Sequence, residues 1–305
     1  RVYRKLYRGF ESHPLRHYLI FYKFFKRYFS KGKLMKIAII TSNETRHIFF
    51  RKLVNTFNNI SVVYCLCEKT DQNQFTQVIT NKDSTKKEKE HFLQRRNTEI
   101  DFFQLFVEKM NEPKKIIFSD KGTINKNIQI QNDLYASNPD VIISYGCSII
   151  DKAVIEKFNG KFINIHLGLS PYYRGVGTNL WPLVNNEPEY IGVTYMFIDE
   201  NIDTGDIIHQ IRPNLYQHDN VHTLGNRLIK DMALELELLL LKLNLITPVK
   251  QWKNLSDKVY KKKDFDENCL IQMENNFKKG MLQDYLSNKK ERDSKVPIIV
   301  FGKKQ

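Results

Sequence analysis

Between residues 36 and 247 the sequence alternates short apolar runs of strand length with longer stretches of helical periodicity, and this alternation limits the fold more than any other feature. Residues 36–41 (KIAIIT), 60–66, 115–118, 140–145 and 161–166 are strand-sized. Helix-like stretches lie after Asn43 up to residue 58, within 70–111, and over 129–137 and 148–158. In the second of these, Phe102, Phe103, Leu105, Phe106 and Met110 make an apolar face. Strands joined through helical crossovers pair in parallel, so the expected class is α/β with a Rossmann-like, mostly parallel sheet. Residues 190–199 and 207–212 then read as a hairpin-like pair. A long helix over 221–245 follows, capped by Asp219 or Asn220, and one more helical stretch over 266–287. Sheets of this kind bind ligands beyond the C-terminal ends of their strands, which selects the loops 41–47, 145–148 and 166–177.

The net charge of +14 is unevenly spread: residues 1–34 carry +9, residues 248–305 carry +6, and residues 35–247 carry −1. Three regions follow: a basic aromatic N-terminal extension (1–34), a central domain (35–247) and a helical basic C-terminal tail (248–305). A nearly neutral central domain argues against nucleic acid as a partner, because a nucleic-acid interface stripes bases across the folded domain itself. Within 1–34, ten aromatic rings alternate with ten Lys/Arg. That pattern suits an anionic membrane surface, and equally suits packing on the domain or on a second subunit of a homodimer; an organellar targeting segment is a third reading. Met35 directly precedes the first strand, where a compact version of the domain would begin. No stretch reaches the ~20 apolar residues that span a bilayer. Cys65, Cys67, Cys147 and Cys269 form no CxxC pairs, and no secretory signal is visible, so a cytoplasmic protein, or one at the inner membrane surface, is expected. His218, Asp219 and His222 have a metal-like spacing, but a capped helix start explains them, and no metal is expected.

Asn164 and His166, two apart at the end of a strand, project on one face. Pro171 and Gly175 fix the loop that follows. Asp203, in a turn closed by Gly205, can approach that strand end from the neighbouring hairpin. An amide donor, an imidazole and a carboxylate together suit acyl transfer to an amine. The segment Asn164-Ile165-His166-Leu167-Gly168-Leu169-Ser170-Pro171-Tyr172-Tyr173-Arg174-Gly175 resembles the signature of the formyltransferase family. The second part of that signature follows in order: Gly192-Val193-Thr194, then residues 199–208 with Asp203, Gly205 and Asp206. The resemblance spans residues 36–247. It implies the formyltransferase fold and transfer of a formyl group from 10-formyltetrahydrofolate to a primary amine. On that reading Asn164 and His166 would donate to the formyl oxygen as negative charge develops, and Asp203 would support the charged imidazole and relay a proton. The resemblance also places the pterin against Tyr145, Gly146, Cys147 and Ile149 and against Glu200, Ile202 and Gly205, mainly through backbone groups. Ser42, Asn43, Arg174 and Gly175 are the expected acceptor contacts, although bracing of the 171–175 loop accounts for Arg174 as well.

What surrounds the shared core separates the branches of that family. The loop Thr41-Ser42-Asn43-Glu44-Thr45-Arg46-His47 has no glycine, unlike the phosphate-cradling loop of glycinamide ribonucleotide transformylase. Residues 248–305 are too few and too helical for the tRNA-binding barrel of methionyl-tRNA formyltransferase. Residues 1–34 cannot supply the regulatory domain of the formyltetrahydrofolate hydrolases. The expected acceptor is therefore a nucleotide-linked amino-deoxy sugar of surface polysaccharide assembly. The alternatives are another amine, such as glycinamide ribonucleotide, or a non-catalytic binding protein on the same scaffold. Two departures bear on this: Met196 stands where the family more often has His, and the tail lacks a second nucleotide-binding module.

Overall fold

A computed structural model describes residues 34–69, 74–158, 160, 162–253 and 259–305. The expectations placed on the basic extension therefore fall, apart from Leu34, outside the described residues. Residues Met35–Gln305 form one compact unit. Its centre is a seven-stranded sheet in the order β3-β2-β1-β4-β5-β7-β8. The strands are β1 (Met35–Thr41), β2 (Ile60–Lys69), β3 (Ile116–Asp120), β4 (Val141–Tyr145), β5 (Phe162–His166), β7 (Val193–Phe197) and β8 (Ile207–Ile211), with the two-residue β6 (Arg174–Gly175) outside the sheet. From β3 to β5 all pairings are parallel, whereas β5–β7 and β7–β8 are antiparallel. The mostly parallel sheet and the hairpin-like pair expected from the sequence are both present.

Because successive strand residues face opposite sides, β1 feeds two separate cores. Ile37 and Ile39 join one cluster with Phe49, Phe50, Phe103 and Leu236, while Ala38 and Ile40 join another with Ile130, Leu134 and Val154. The first is covered by α1 (Thr45–Val54), α3 (Lys86–Lys109) and the long amphipathic α8 (Val221–Lys242), with α2 (Gln74–Thr80) packed on α3; the second by α4 (Thr123–Lys126), α5 (Ile128–Ala136) and α6 (Lys152–Lys157). A strand buried on both faces reads as a continuous apolar run, which is why KIAIIT carries no polar alternation. Fully burying each such side chain is worth roughly 1.5–3 kcal/mol against the entropy of ordering it.

After the short α7 (Trp181–Val184), β7 and β8, α8 (Val221–Lys242) begins at Asn220. Asn220 closes a capping box with Thr223, its side chain accepting from the His222 and Thr223 amides. Asp219 instead ion-pairs with Arg227, and His222 packs its ring 4.6 Å from that of His91. Both of these residues therefore serve the helix start and its packing. The single helical stretch expected over 266–287 is divided: α9 (Glu267–Lys278) and α10 (Met281–Ser287) are separated at Gly280, whose φ of 84° no right-handed helix accommodates. A third helix, α11 (Lys289–Ser294), follows.

The residues beyond 247 are tied into the unit at several points. Val249 bridges Ile207 through two 2.8 Å hydrogen bonds. The two-residue β9 (Val259–Tyr260) pairs with β6. The hairpin of β10 (Ile299–Val300) and β11 (Lys303–Lys304) lies against β8, with the Gly302 amide donating to the Ile208 carbonyl at 3.0 Å. Among the described residues no helix is long and apolar enough to cross a membrane.

Candidate active site

The chain steps outward from β1 to β3 and then returns to β4 on the other side of β1, so the order of the strands reverses between β1 and β4 while their direction stays parallel. A crevice opens at such a point beyond the strand ends. Its floor is pinned by Thr41, whose hydroxyl donates to the Tyr145 carbonyl at 2.7 Å. Asn164 and His166 stand one strand further, at the end of β5, on the same face as Phe162.

The structure brings Asn164, His166 and Asp203 together. The Asp203 carboxylate lies 3.4 Å from His166 Nδ1 and 3.4 Å from Asn164 Nδ2. The His166 and Asp203 side chains are 7% and 11% exposed, so their mutual field is weakly screened while an edge stays accessible. His166 Nε2 lies 3.1 Å from the Tyr173 carbonyl oxygen. Both ring nitrogens thus face oxygen atoms. Asn164 is oriented from behind: Ser144 donates its hydroxyl to Asn164 Oδ1 at 3.0 Å, which turns the amide nitrogen toward Asp203. The backbone of Gly168 passes so close to the imidazole that a Cβ there would sit 2.5 Å from Nε2, so only glycine fits.

The loop after β5 is held by a buried polar network. Thr194 Oγ1 accepts from the Ser170 amide at 2.9 Å and donates to the Gly168 carbonyl at 2.7 Å. Gln210 Nε2 donates to the Ser170 carbonyl at 2.7 Å, and its Oε1 accepts from the Ile299 amide at 2.9 Å. The bonds run through the Ser170 backbone and fix the loop at that residue.

The Asp203 turn has an unusual backbone. Asp203 has φ 54°, the left-handed region that Asp tolerates better than most side chains. Its Oδ2 accepts from the Gly175 amide at 2.9 Å. Gly175 itself has φ 94°, and a Cβ there would lie 2.1 Å from the Tyr260 carbonyl oxygen. Of the two residues in β6, then, Gly175 contributes its backbone N–H to the site, while half-buried Arg174 pairs in register with Val259.

The remaining expected residues fall in three places. Tyr145 is buried at the end of β4, its ring 5.0 Å from that of Phe50, and burial drives its phenol pKa upward. Gly146 has φ 64° and lies against the His47 ring. Cys147 has its thiol pushed up to about 12 by burial, with Glu68 adding to the shift, which keeps it protonated and unreactive at neutral pH. Ile149 is 74% exposed on the same loop. Opposite them, on the loop between β7 and β8, Ile202 is exposed and Glu200 forms an ion pair at 2.6 Å with Lys152 of α6. Gly205 closes the turn so tightly that a Cβ would meet the Phe197 carbonyl oxygen at 1.8 Å. Ser42 and Asn43 lie two strands from β5, and their polar atoms are engaged by Arg51, at 3.4 Å to the Ser42 carbonyl and 3.2 Å to Asn43 Oδ1. The Ser42 carbonyl and Asn43 Oδ1 therefore accept from Arg51 and the Cys67 thiol, not from Asn164 or His166.

Several supporting residues escaped the sequence reading. Glu68, 1% exposed, accepts from the Gly122 amide at 2.9 Å and the Ser148 amide at 2.6 Å, locking the corner on which residues 145–149 sit. The one trace in the sequence is an acid at the end of an otherwise apolar strand. Ser144 left a comparable trace, a lone hydroxyl inside VIISY. Gln251 left none.

The formyl transferase family model matches residues 47–237, more than half of the chain, and the chain belongs to this family. The stretch includes Asn164, His166 and Asp203. Over 97 residues the chain is 38% identical to the methionyl-tRNA formyltransferase of Thermodesulfovibrio yellowstonii, covering 31% of each protein. Over 108 residues it is 36% identical to the GDP-perosamine N-formyltransferase of Brucella melitensis, covering 35% of this chain and 41% of that one. The matched stretches thus span less than half the length of these curated relatives. The crystal structure of an N-formyltransferase from Helicobacter canadensis, in complex with folinic acid and dTDP-3-aminofucose, superposes with a TM-score of 0.48 at 18% identity, covering 76% of this chain and 72% of that one.

Proposed function

We propose that the protein transfers a formyl group from 10-formyltetrahydrofolate to the primary amine of a nucleotide-linked amino sugar, with Asn164, His166 and Asp203 at the reacting centre. The observation that carries this reading is the Asp203 carboxylate, held 3.4 Å from both His166 Nδ1 and Asn164 Nδ2 in a chain of the formyl transferase family. In the reaction the neutral amine adds to the formyl carbon, and the bond from that carbon to the folate nitrogen breaks. The amine loses a proton and the departing nitrogen gains one. Negative charge grows on the formyl oxygen in between; the second N–H of the Asn164 amide is available to it, and the His166 imidazolium can donate once its Nε2–H leaves the Tyr173 carbonyl. A donor of this kind is typically worth roughly 3–4 kcal/mol of barrier. Asp203 stabilises the imidazolium and can pass the amine proton onward, directly or through water.

Support for the folate end comes from the loop 145–149, which turns at left-handed Gly146 and is anchored by Glu68, leaving backbone groups and the exposed Ile149 side chain at the crevice. The Ile202 side chain on the facing loop adds apolar surface suited to a flat aromatic co-substrate. Support for a sugar acceptor comes from the β1–α1 loop, whose Ser42 carbonyl and Asn43 side chain are tied to Arg51 and which lacks the glycines a phosphate cradle needs. The relative that acts on GDP-perosamine is consistent with this acceptor class. The test is to incubate the full chain with 10-formyltetrahydrofolate and, in parallel, nucleotide-linked amino sugars, glycinamide ribonucleotide and methionyl-tRNA, with mass spectrometry of the products. Formylation of an amino sugar is expected. Exclusive formylation of either other acceptor would replace the sugar, and no formylation of any amine would overturn the activity.

A further inference from the structure

We infer that Gln251 is a positioning residue for the Asp203 carboxylate, acting through the backbone of the turn that carries it. The inference rests on the reading of Asp203 as catalytic. A non-glycine residue at φ 54° holds its conformation only where its surroundings over-determine it. Gln251 supplies that constraint. Its Nε2 donates to the Asp203 carbonyl at 2.9 Å and to the Gly205 carbonyl at 2.8 Å, one hydrogen to each. The amide orientation is dictated by chemistry, since Oε1 in the same place would face two carbonyl oxygens. The turn is pressed against β7 on its far side, where Gly205 has no room for a Cβ beside Phe197.

Gln251 can do this because its own segment is fixed. Two residues earlier, Val249 pairs with Ile207 through two 2.8 Å hydrogen bonds, and the next residue, Trp252, packs edge-on against Tyr172 at 5.6 Å. A second brace comes from the same part of the chain. The Tyr260 carbonyl accepts from the Val176 amide at 2.8 Å and holds the strand whose Gly175 N–H binds Asp203 Oδ2. Asp203 is thus held at its main chain by Gln251 and at its carboxylate by a segment that β9 pins. The C-terminal residues do not touch the reacting atoms, yet they set where the carboxylate sits.

The experiment uses full-length protein and measures kcat and KM for both substrates in Gln251→Ala, Gln251→Glu and Asp203→Asn, and in Gln251→Ala combined with Asp203→Asn. Gln251→Glu keeps the volume if the alanine variant folds poorly. Loosening the turn should lower kcat about tenfold, because small displacements of a catalytic group are costly. KM for 10-formyltetrahydrofolate should stay within about twofold. On the Asp203→Asn background the Gln251 change should add less than about a twofold loss, since nothing remains for it to position. Wild-type kcat in both Gln251 variants overturns the inference, as does an equal loss with and without the Asp203 carboxylate. Wild-type turnover in Asp203→Asn would instead defeat the proposed mechanism, and the inference with it, a result told apart by the single Asp203 variant alone.

Discussion

Replacing Asp203 by Asn removes one charge and almost no volume, which makes it the sharpest probe of the site. Asn retains an oxygen that can accept from the Gly175 amide, now 2.9 Å from Oδ2, so the turn keeps its main restraint. What is lost is the field on His166. Two unit charges 3.4 Å apart at an effective dielectric near 20 interact by about 5 kcal/mol. That figure is an upper bound; removing one group that supports transition-state charge typically costs roughly 3–4 kcal/mol, which corresponds to a 100- to 1,000-fold loss in kcat. The loss should appear in kcat rather than in KM for the folate, because the charge matters most when the formyl oxygen becomes negative. Initial rates of formylated product, followed by mass spectrometry at saturating co-substrate, give the number. The thermal unfolding midpoint should fall by a few degrees, because with its oxygen on the Gly175 amide the Asn NH2 takes the place of Oδ1 and leaves the Asn164 and His166 Nδ1 donors without an acceptor; circular dichroism checks that the fold is intact. A kcat within about threefold of wild type, with folding intact, would refute the electrostatic role of Asp203.

Gly175→Ala should destabilise the protein by roughly 2–4 kcal/mol, because the residue has φ 94° and the new Cβ would meet the Tyr260 carbonyl oxygen at 2.1 Å; chemical denaturation checks this, and an unchanged midpoint would count against the packing described. A reduced folate at about 1,000 times its Kd should add roughly 4 kcal/mol of stability by mass action, read as a rise in Tm, and no shift together with no heat of binding would remove folate from the proposal. His91 and His222 have their pKa values lowered by burial to about 3 and about 4. The unfolded chain binds protons near pH 6.5 and the folded one does not, so stability is complete above that pH and is lost as pH falls toward 4. The loss at pH 5 should be on the order of 3 kcal/mol for the pair, and His91→Gln should roughly halve it; a flat Tm between pH 7 and 5 would contradict the buried neutral imidazoles.

The sequence by itself determined the sheet, because a strand covered on both faces must be apolar at every position, and 36–41 and 140–145 are nearly so, while 161–166 departs from this at the site residues Asn164 and His166. It also determined the break between strands and crossover helices, and so the end of the sheet at which a crevice opens. Asn164 and His166 could be paired from spacing alone, since residues two apart on a strand share a face. The division of the tail was not readable: Gly280 interrupts an apolar periodicity that continues on both sides of it, and only the backbone shows the left-handed turn there. Contacts distant in sequence were equally hidden. Ser144 reaches Asn164 across neighbouring strands, Glu68 reaches Ser148 across two, and Gln251 reaches the Asp203 turn 48 positions away. None of these residues repeats with a period or stands in a local motif, because what selects each is the geometry of an amide or carbonyl presented by another part of the chain. The sequence therefore specified which side chains can carry charge and donate at the site; the tertiary structure alone decided what holds them at 3.4 Å, since that distance is set by backbone groups that every residue possesses.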